Sequence, residues 1–421
     1  MKTLIQWKLA WHAKRILAKY EPTVVAVTGS VGKTSTRNAI AAVLSAKFRV
    51  RSPAENYNNE FGVPLTIIGA KTPGRSLFGW ARVLAKAAGL WLGKDATYPN
   101  MLVLEYGLDR PGDISALCRI APPNVGVLTA VTPVHAEFFP SIEDLAKEKG
   151  QILRGVKAGG TAILNADDPL VAAQRGSEKT VTYGFGDAAE VRGGNYRVET
   201  EPVAVTFDLT MDGQRAPVTL NGLLGRGQAY AALAAAAVGR SFGMSIDEIV
   251  EGLSRFEPQA GRMRPLPGIK GTRLLDDSYN AAPASMASAL ETLRAFVPPE
   301  SARRIAALGK MAELGKYSAD EHRLLGIRAA EVADVLVCVG EEARDIRHGA
   351  IEAGMDPANI ELFANAVEAG RWLDFNCKAG DVILIKGSQS ARMEKVVKDL
   401  MAEPLRAGEL LVRQYGAWLE D

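Results

Sequence analysis

From Thr23 onward, short apolar runs alternate with longer stretches in which apolar positions recur at helical spacing. "VVAVT", "MLVLEYG", "VGVLTAV" and "TAILNAD" read as strands, each followed by a polar or glycine-bearing loop. That order predicts an α/β fold with a mainly parallel sheet, whose ligands gather at the carboxyl ends of the strands. Between Thr180 and Leu220 the texture changes to alternation with turn glycines, in "TVTYGFG", "NYRVETE", "VAVTFDLTMDG" and "APVTLNG". This predicts a small antiparallel section on the same domain. An alanine-rich helix, "AYAALAAAAVGRSFG", comes next, and then "SIDEIVEGLSRF", in which Ser245 is placed to cap a helix with Glu248 three residues later.

"EPQAGRMRPLPG" carries three prolines and two glycines and is the expected hinge. Beyond it, "TRLLDDSYN", "RRIAALG", "ADVLVCVG" and "DVILIKGS" predict a second α/β domain, Rossmann-like in its alternation. The chain therefore divides into a short basic amphipathic helix over 1–22, a central domain over 23–257 and a C-terminal domain over 258–421.

The apolar residues Leu4, Ile5, Trp7, Leu9, Trp11, Ile16 and Leu17 suit a helix ending before Pro22. Lys8, Lys14, Arg15 and Lys19 interrupt any continuous apolar core there, so an export signal is not expected. A second segment, "SLFGWARVLAKAAGLWLGK" from Ser76, is apolar, aromatic and basic at once. Packing against the N-terminal helix or a partner is favoured for it over membrane-surface contact. Residues 1–20 and 76–94 are thus the expected contact face. No apolar run is long enough to span a bilayer, and a soluble cytoplasmic monomer is expected.

Charge and cysteine usage narrow the classes further. The 421 residues include 50 basic and 48 acidic ones, a net charge of +2 that gives no global signature of a nucleic-acid binder. Cys118, Cys338 and Cys377 have neither pair nor metal spacing and read as packing residues in a reducing compartment.

The chemistry concentrates at strand ends. "TGSVGKTS" places Gly29 and Gly32 where backbone amides can approach phosphate oxygens at the start of a helix. Lys33 would bridge the β and γ phosphates and Thr34 would hold Mg²⁺. The strict phosphate-loop pattern asks for glycine where this chain has Val27. Glu105 ends "LVLEYG" within reach of a nucleotide-bound metal. "TPVHAEFFPSIEDLAKEKG" follows another strand and offers His135, Glu137, Lys147 and Lys149, in a chain with only 4 histidines.

These residues carry a resemblance. "VTGSVGKTST", "NYNNEFGVPLTIIG", "VLEYGLDRPGDI", "HAEFFPSIEDLAKEKG", "LNADD", "DDSYNAAPASM", "ALGKMAELG" and "ILIKGSQSARME" stand in the order found in the Mur ligase family. The chain resembles these ATP-dependent amide-bond-forming enzymes of peptidoglycan synthesis from Val24 to about Val397. It is most similar to the branch that adds D-alanyl-D-alanine to a UDP-N-acetylmuramoyl tripeptide, through "DDSYNAAP" and "LGKMAELG" in particular. The resemblance implies a central ATPase, a Rossmann-like C-terminal domain and an N-terminal uridine-binding domain, the last without a counterpart in this sequence. It implies a reaction in which a carboxylate attacks the γ-phosphate of ATP and an amine then displaces phosphate from the acyl phosphate.

Carried across by motif, the resemblance implies that Gly29, Ser30, Val31, Gly32, Lys33, Thr34 and Ser35 hold nucleotide. It implies that Thr34 and Glu105 serve one Mg²⁺ and that His135 and a carbamylated Lys149 serve a second, with Lys147 the neighbouring candidate. Lys33, His135 and Lys149 form the expected catalytic set. Arg262 falls on ATP phosphates, Asp277 near the ribose, Tyr279 and Asn280 beside the nucleotide, and Asn58, Asn59 and Glu60 on the acceptor side. Domain closure would complete the site. The family's usual His-Asn pair is replaced by Gly227 and Gln228, and the Gln228 amide is the expected adenine contact. Two alternatives stay open: a ligase for a non-UDP or lipid-linked peptide donor, and a non-catalytic ATP-binding subunit.

Overall fold

The computed structural model of the chain describes residues 2–53, 57–132, 139–176 and 179–419. Two sheets organise them. The first contains β1 (Thr23–Thr28), β2 (Val50–Arg51), β3 (Met101–Glu105), β4 (Val125–Leu128), β5 (Thr161–Asn165), β6 (Lys179–Gly184), β7 (Val191–Thr200), β8 (Val203–Met211) and β9 (Gln214–Asn221), in the spatial order β2-β3-β1-β4-β5-β6-β7-β8-β9. Its helices are α1 (Lys2–Tyr20), α2 (Lys33–Ser45), α3 (Gly62–Ile68), α4 (Leu77–Leu92), α5 (Asp113–Ile120), α6 (Ile142–Lys149), α7 (Gln151–Arg154), α8 (Pro169–Ala172), α9 (Arg226–Ser241) and α10 (Ile246–Leu253).

The second sheet contains β10 (Arg264–Pro267), β11 (Arg273–Asp277), β12 (Arg304–Gly309), β13 (Val335–Val339), β14 (Ile360–Phe363) and β15 (Val382–Lys386), ordered β10-β11-β15-β12-β13-β14. It is flanked by α11 (Pro283–Ala295), α12 (Ser318–Ala330), α13 (Arg344–Glu352), α14 (Ala366–Asn376) and α15 (Glu394–Leu400).

The central strands are buried along their whole length, as parallel strands covered on both faces must be. One face of the first sheet packs on α2, α9 and α10, where the alanines of α9 let helix and sheet approach closely. The other face packs on α1, α3, α4, α5 and α7. Ser245 caps α10 as the sequence suggests, and Glu248 returns a hydrogen bond to the Ser245 amide.

Two expectations need correction. "TVTYGFG" is not part of the antiparallel section: β6 pairs parallel with β5, to which α8 gives it a crossover connection, and its last two residues pair parallel with the start of β7. Antiparallel pairing begins only with β7, β8 and β9, which extend the same sheet. The proline-rich hinge is also shorter than its sequence. Pro265 and Pro267 lie in β10, an edge strand antiparallel to β11, where a missing amide is tolerated, and the irregular connection ends at Met263.

The two apolar basic segments meet as the sequence analysis favours. Lys19 Nζ donates to the carbonyls of Leu90 and Trp91, Tyr20 Oη to that of Leu90, and Trp91 Nε1 to His12 Nδ1. Among the described residues no helix is long and apolar enough to cross a membrane.

Candidate active site

The phosphate loop leaves the end of β1, at the point where the strand order reverses between β3 and β4. Its shape is set by its neighbours. Gly29 has φ 152°, and a Cβ there would lie 2.0 Å from Thr129 Oγ1, so no side chain fits. Thr129 Oγ1 donates to the Val31 carbonyl at 2.7 Å, and the Ser30 amide donates to the Ala130 carbonyl at 2.7 Å. Gly32, with φ 80°, then turns the chain into α2, where only glycine adopts that backbone readily. Val27 lies inside β1 opposite Glu105, so the strand and not the loop occupies the position where the strict pattern asks for glycine.

Two lysines converge on one carbonyl. Lys33 Nζ donates to the carbonyls of Gly29 and Ser30 at 2.9 and 3.3 Å, and Lys149 Nζ donates to that of Gly29 at 3.2 Å. Burial pushes the Lys33 ammonium down, opposed by Glu105 and reinforced by Arg262. Burial, and then the Lys33 charge, hold Lys149 well below the ordinary lysine range. Lys147 differs: it is exposed and paired with Asp144 at 3.1 Å. Geometry thus separates the two lysines that the sequence leaves as neighbours, because α6, capped by Ser141, turns Lys149 inward.

Glu105 is buried at the end of β3 and accepts from Thr34 Oγ1 at 2.9 Å, Arg37 Nη1 at 3.4 Å and Asn58 Nδ2 at 3.4 Å. Thr34 also meets the second domain, since Arg262 Nη2 donates to its hydroxyl at 3.0 Å. Hydroxyl and carboxylate together are two hard oxygens of the kind Mg²⁺ takes while keeping waters and phosphates in its remaining positions. Among the described residues no group of three or more His, Cys, Asp or Glu residues is gathered for a metal. His135, like Glu137, lies outside the described residues.

The C-terminal side approaches through residues 261–280. Asp276 is fully buried and accepts from the Gly261 amide, the Ser278 amide and the Ser278 hydroxyl. Asp277 accepts from the Met263 amide at 3.0 Å and pairs with buried Lys386 at 2.6 Å. The loop carrying Arg262 is therefore pinned at both ends, with the Arg262 guanidinium 4.1 Å from the centre of the Tyr279 ring. Asn280 is exposed and its Oδ1 accepts from the next amide. Gln228 is buried at the start of α9; its Nε2 donates to the Arg262 carbonyl at 3.2 Å, while its Oε1 is buried without a partner. An unpartnered buried acceptor is costly.

Of the acceptor-side residues, Asn58 points at Glu105, whereas Asn59 Oδ1 accepts from the Phe61 and Gly62 amides and shapes the turn into α3. Glu60 is half-buried in that turn. Sequence reasoning missed Arg37, Asp276, Lys386 and Arg413, which donates to the Ser278 and Tyr279 carbonyls and pairs with buried Glu394. An arginine one helical turn after the loop lysine is a signal that could have exposed Arg37; the others depend on long-range pairing.

A phosphate loop met by a second α/β unit, with buried Glu105 of the first and half-buried Arg262 of the second meeting at Thr34, defines a nucleotide-binding protein of two cooperating units. Residues 90–239 match the Mur ligase middle domain and residues 261–389 the Mur ligase glutamate ligase domain. The chain is 32% identical to the UDP-N-acetylmuramoyl-tripeptide--D-alanyl-D-alanine ligase of Mycobacterium leprae, over 90% of this chain and 74% of that protein. It is 32% identical to the protein of that name from Escherichia coli, over 93% and 78%. The crystal structure of the MurF ligase of Thermotoga maritima in complex with ADP superposes with a TM-score of 0.77 at 28% identity, covering 94% of this chain and 83% of that one. The chain belongs to the Mur ligase family.

Proposed function

We propose that this protein is an ATP-dependent ligase of peptidoglycan precursor synthesis, adding D-alanyl-D-alanine to a UDP-N-acetylmuramoyl tripeptide through an acyl phosphate. The observation that carries the reading is the meeting at Thr34, beside the phosphate loop, where Glu105 of β3 and Arg262 of the loop before β10 each come within 3.0 Å of one hydroxyl. The names of the relatives supply the substrates. The chain acts as an ATPase unit over 23–257 and a C-terminal unit over 258–421, in the cytoplasm and as a monomer.

In this reading the amides of Gly29, Val31 and Gly32, with Lys33, Ser35 and Arg262, hold the phosphates, the Ser30 amide being engaged by the Ala130 carbonyl, and Thr34 and Glu105 hold Mg²⁺. Mg²⁺ supplies charge neutralisation for phosphoryl transfer when bound. Gln228 Oε1 accepts from the adenine amino group, and Asp277, Tyr279 and Asn280 border the nucleoside. Asn58, Asn59 and Glu60 face the acceptor, and His135 joins the metal set. Lys149, buried beside Lys33, carries a carbamate: its neutral amine adds to CO₂, a new N–C bond forms and one proton leaves. The added carboxylate turns a second buried cation into an anion that can balance Lys33 and ligate metal.

The test is turnover. Protein, ATP, the UDP-muramoyl tripeptide and D-alanyl-D-alanine should yield phosphate and a pentapeptide product together. Phosphate release that ignores both donor and acceptor overturns the reading, and equal use of peptide donors with and without uridine moves it to a different donor.

A further inference from the structure

We propose that α1 and α4 form a docking face for an anionic lipid bilayer. Nothing in the ligase chemistry requires this face.

The exposed side of α4 presents Leu77, Phe78, Ala81, Ala85 and Leu92, interrupted only by Gly89 and by the cations Arg82 and Lys86. A helix on a water-facing surface ordinarily turns polar residues outward, and this one presents no uncharged polar or acidic side chain there. Leu4 and Trp7 of α1 are exposed as well, at 56% and 63%. The two helices run in the same sense, since Ile5 and Trp80 line one pocket while Lys19 and Tyr20 hold the carbonyls at the far end of α4. Leu4, Trp7, Leu77 and Phe78 therefore gather at one end. The pocket beside them, about 670 Å³, is shared between Ile5, Leu77 and Trp80 of these helices and the turn that carries Tyr57 and Asn59, so it belongs in part to the acceptor side.

Charge selects the occupant. Residues 1–20 and 71–94 contain ten Lys and Arg and no Asp or Glu, so the remainder of this +2 chain carries a net −8. Tryptophan and phenylalanine on an apolar face, bordered by lysine and arginine alone, match a bilayer interface with anionic headgroups. Arg15 stacks on the rings of Trp11 and Trp91 at 4.8 and 5.5 Å, an amphipathic cluster of the same kind. Protein interfaces deplete lysine. With 16 residues, α4 spans about 24 Å, less than the roughly 30 Å of a hydrocarbon core, so it lies on the bilayer and does not cross it.

The experiment is co-sedimentation of the full chain with phosphatidylcholine vesicles, with and without an equimolar share of phosphatidylglycerol. Binding to the anionic vesicles should be at least roughly tenfold tighter and should weaken with salt. The pair Trp7→Ser with Phe78→Ser, and separately Lys8→Glu with Arg82→Glu, should each abolish that preference while leaving turnover of soluble substrates unchanged. Equal binding to both vesicle types, or anionic binding that survives both double variants, overturns the proposal; self-association through this face without vesicle binding does so too. Vesicle binding reports only on the docking face and soluble turnover only on the ligase reading, so the two fail separately.

Discussion

The two sides of the nucleotide site are held by different physics. On the phosphate-loop side, Gly29 to Thr34 are fixed by backbone contacts and by neighbours one strand away, such as Thr129 and Glu105. On the C-terminal side, Arg262 and Tyr279 are fixed by buried charges brought from far along the chain: Lys386 onto Asp277, and Arg413 onto Glu394 and the 278–279 carbonyls. The first side is preformed by strand geometry. The second depends on ion pairs that are expensive to bury and worse to break.

That contrast is broken most severely at Lys33. Lys33→Ala should cut ligase turnover by roughly 10³-fold, the scale expected for removing a charge that stabilises phosphoryl transfer. The melting temperature should barely move, and a variant that unfolds instead would place Lys33 among the structural groups. Lys149→Ala should lose most turnover, and added short carboxylic acids should partly restore it. Full activity in that variant ends the carbamate assignment.

Lys386→Met tests the other side. It leaves Asp277 without its cation in a site where only 16% of that side chain is exposed, a loss of about 3 kcal/mol. Denaturant unfolding monitored in the C-terminal unit should show it, with KM for ATP rising because Arg262 loses its anchor. An unchanged unfolding midpoint would mean that the pair contributes nothing. The smallest effect concerns Asp276, whose burial pushes its carboxyl up to about 6, against hydrogen bonds from Ser278 and Gly261 that pull it down. The folded state then binds the proton more tightly than the unfolded chain. Stability from this group is full below about pH 4 and declines as pH rises to about 6, by at most about 3 kcal/mol. Asp276→Asn should flatten that part of the stability curve; a slope unchanged in the variant assigns it to another group.

The sequence disclosed the local half of this design well. Loop, strand and helix around Lys33 follow from spacing, and so does the capping pair Ser245 and Glu248. Lys149 is preferred to Lys147 by motif alone; the physical distinction, an inward against an outward side chain, needs the orientation of the helix, on which positions two residues apart differ by about 200° of rotation. Pro265 and Pro267 read as hinge because an edge strand is recognised only once its partner β11 is known. The pinning of Arg262 by Asp276, Asp277 and Lys386 was invisible for the same reason. Asp276 and Asp277 hold the loop from 15 and 14 positions away and Lys386 from more than a hundred, and no periodicity records such contacts.

Thr129 has a consequence of its own. Its hydroxyl fills the space a side chain at Gly29 would need and grips the Val31 carbonyl, so the cradle for phosphate has its shape before any nucleotide arrives. Little ordering entropy is then left to lose on that side when ATP binds. Variation in nucleotide affinity among versions of this protein should accordingly follow changes in the buried ion pairs that hold Arg262, and not changes in the phosphate cradle.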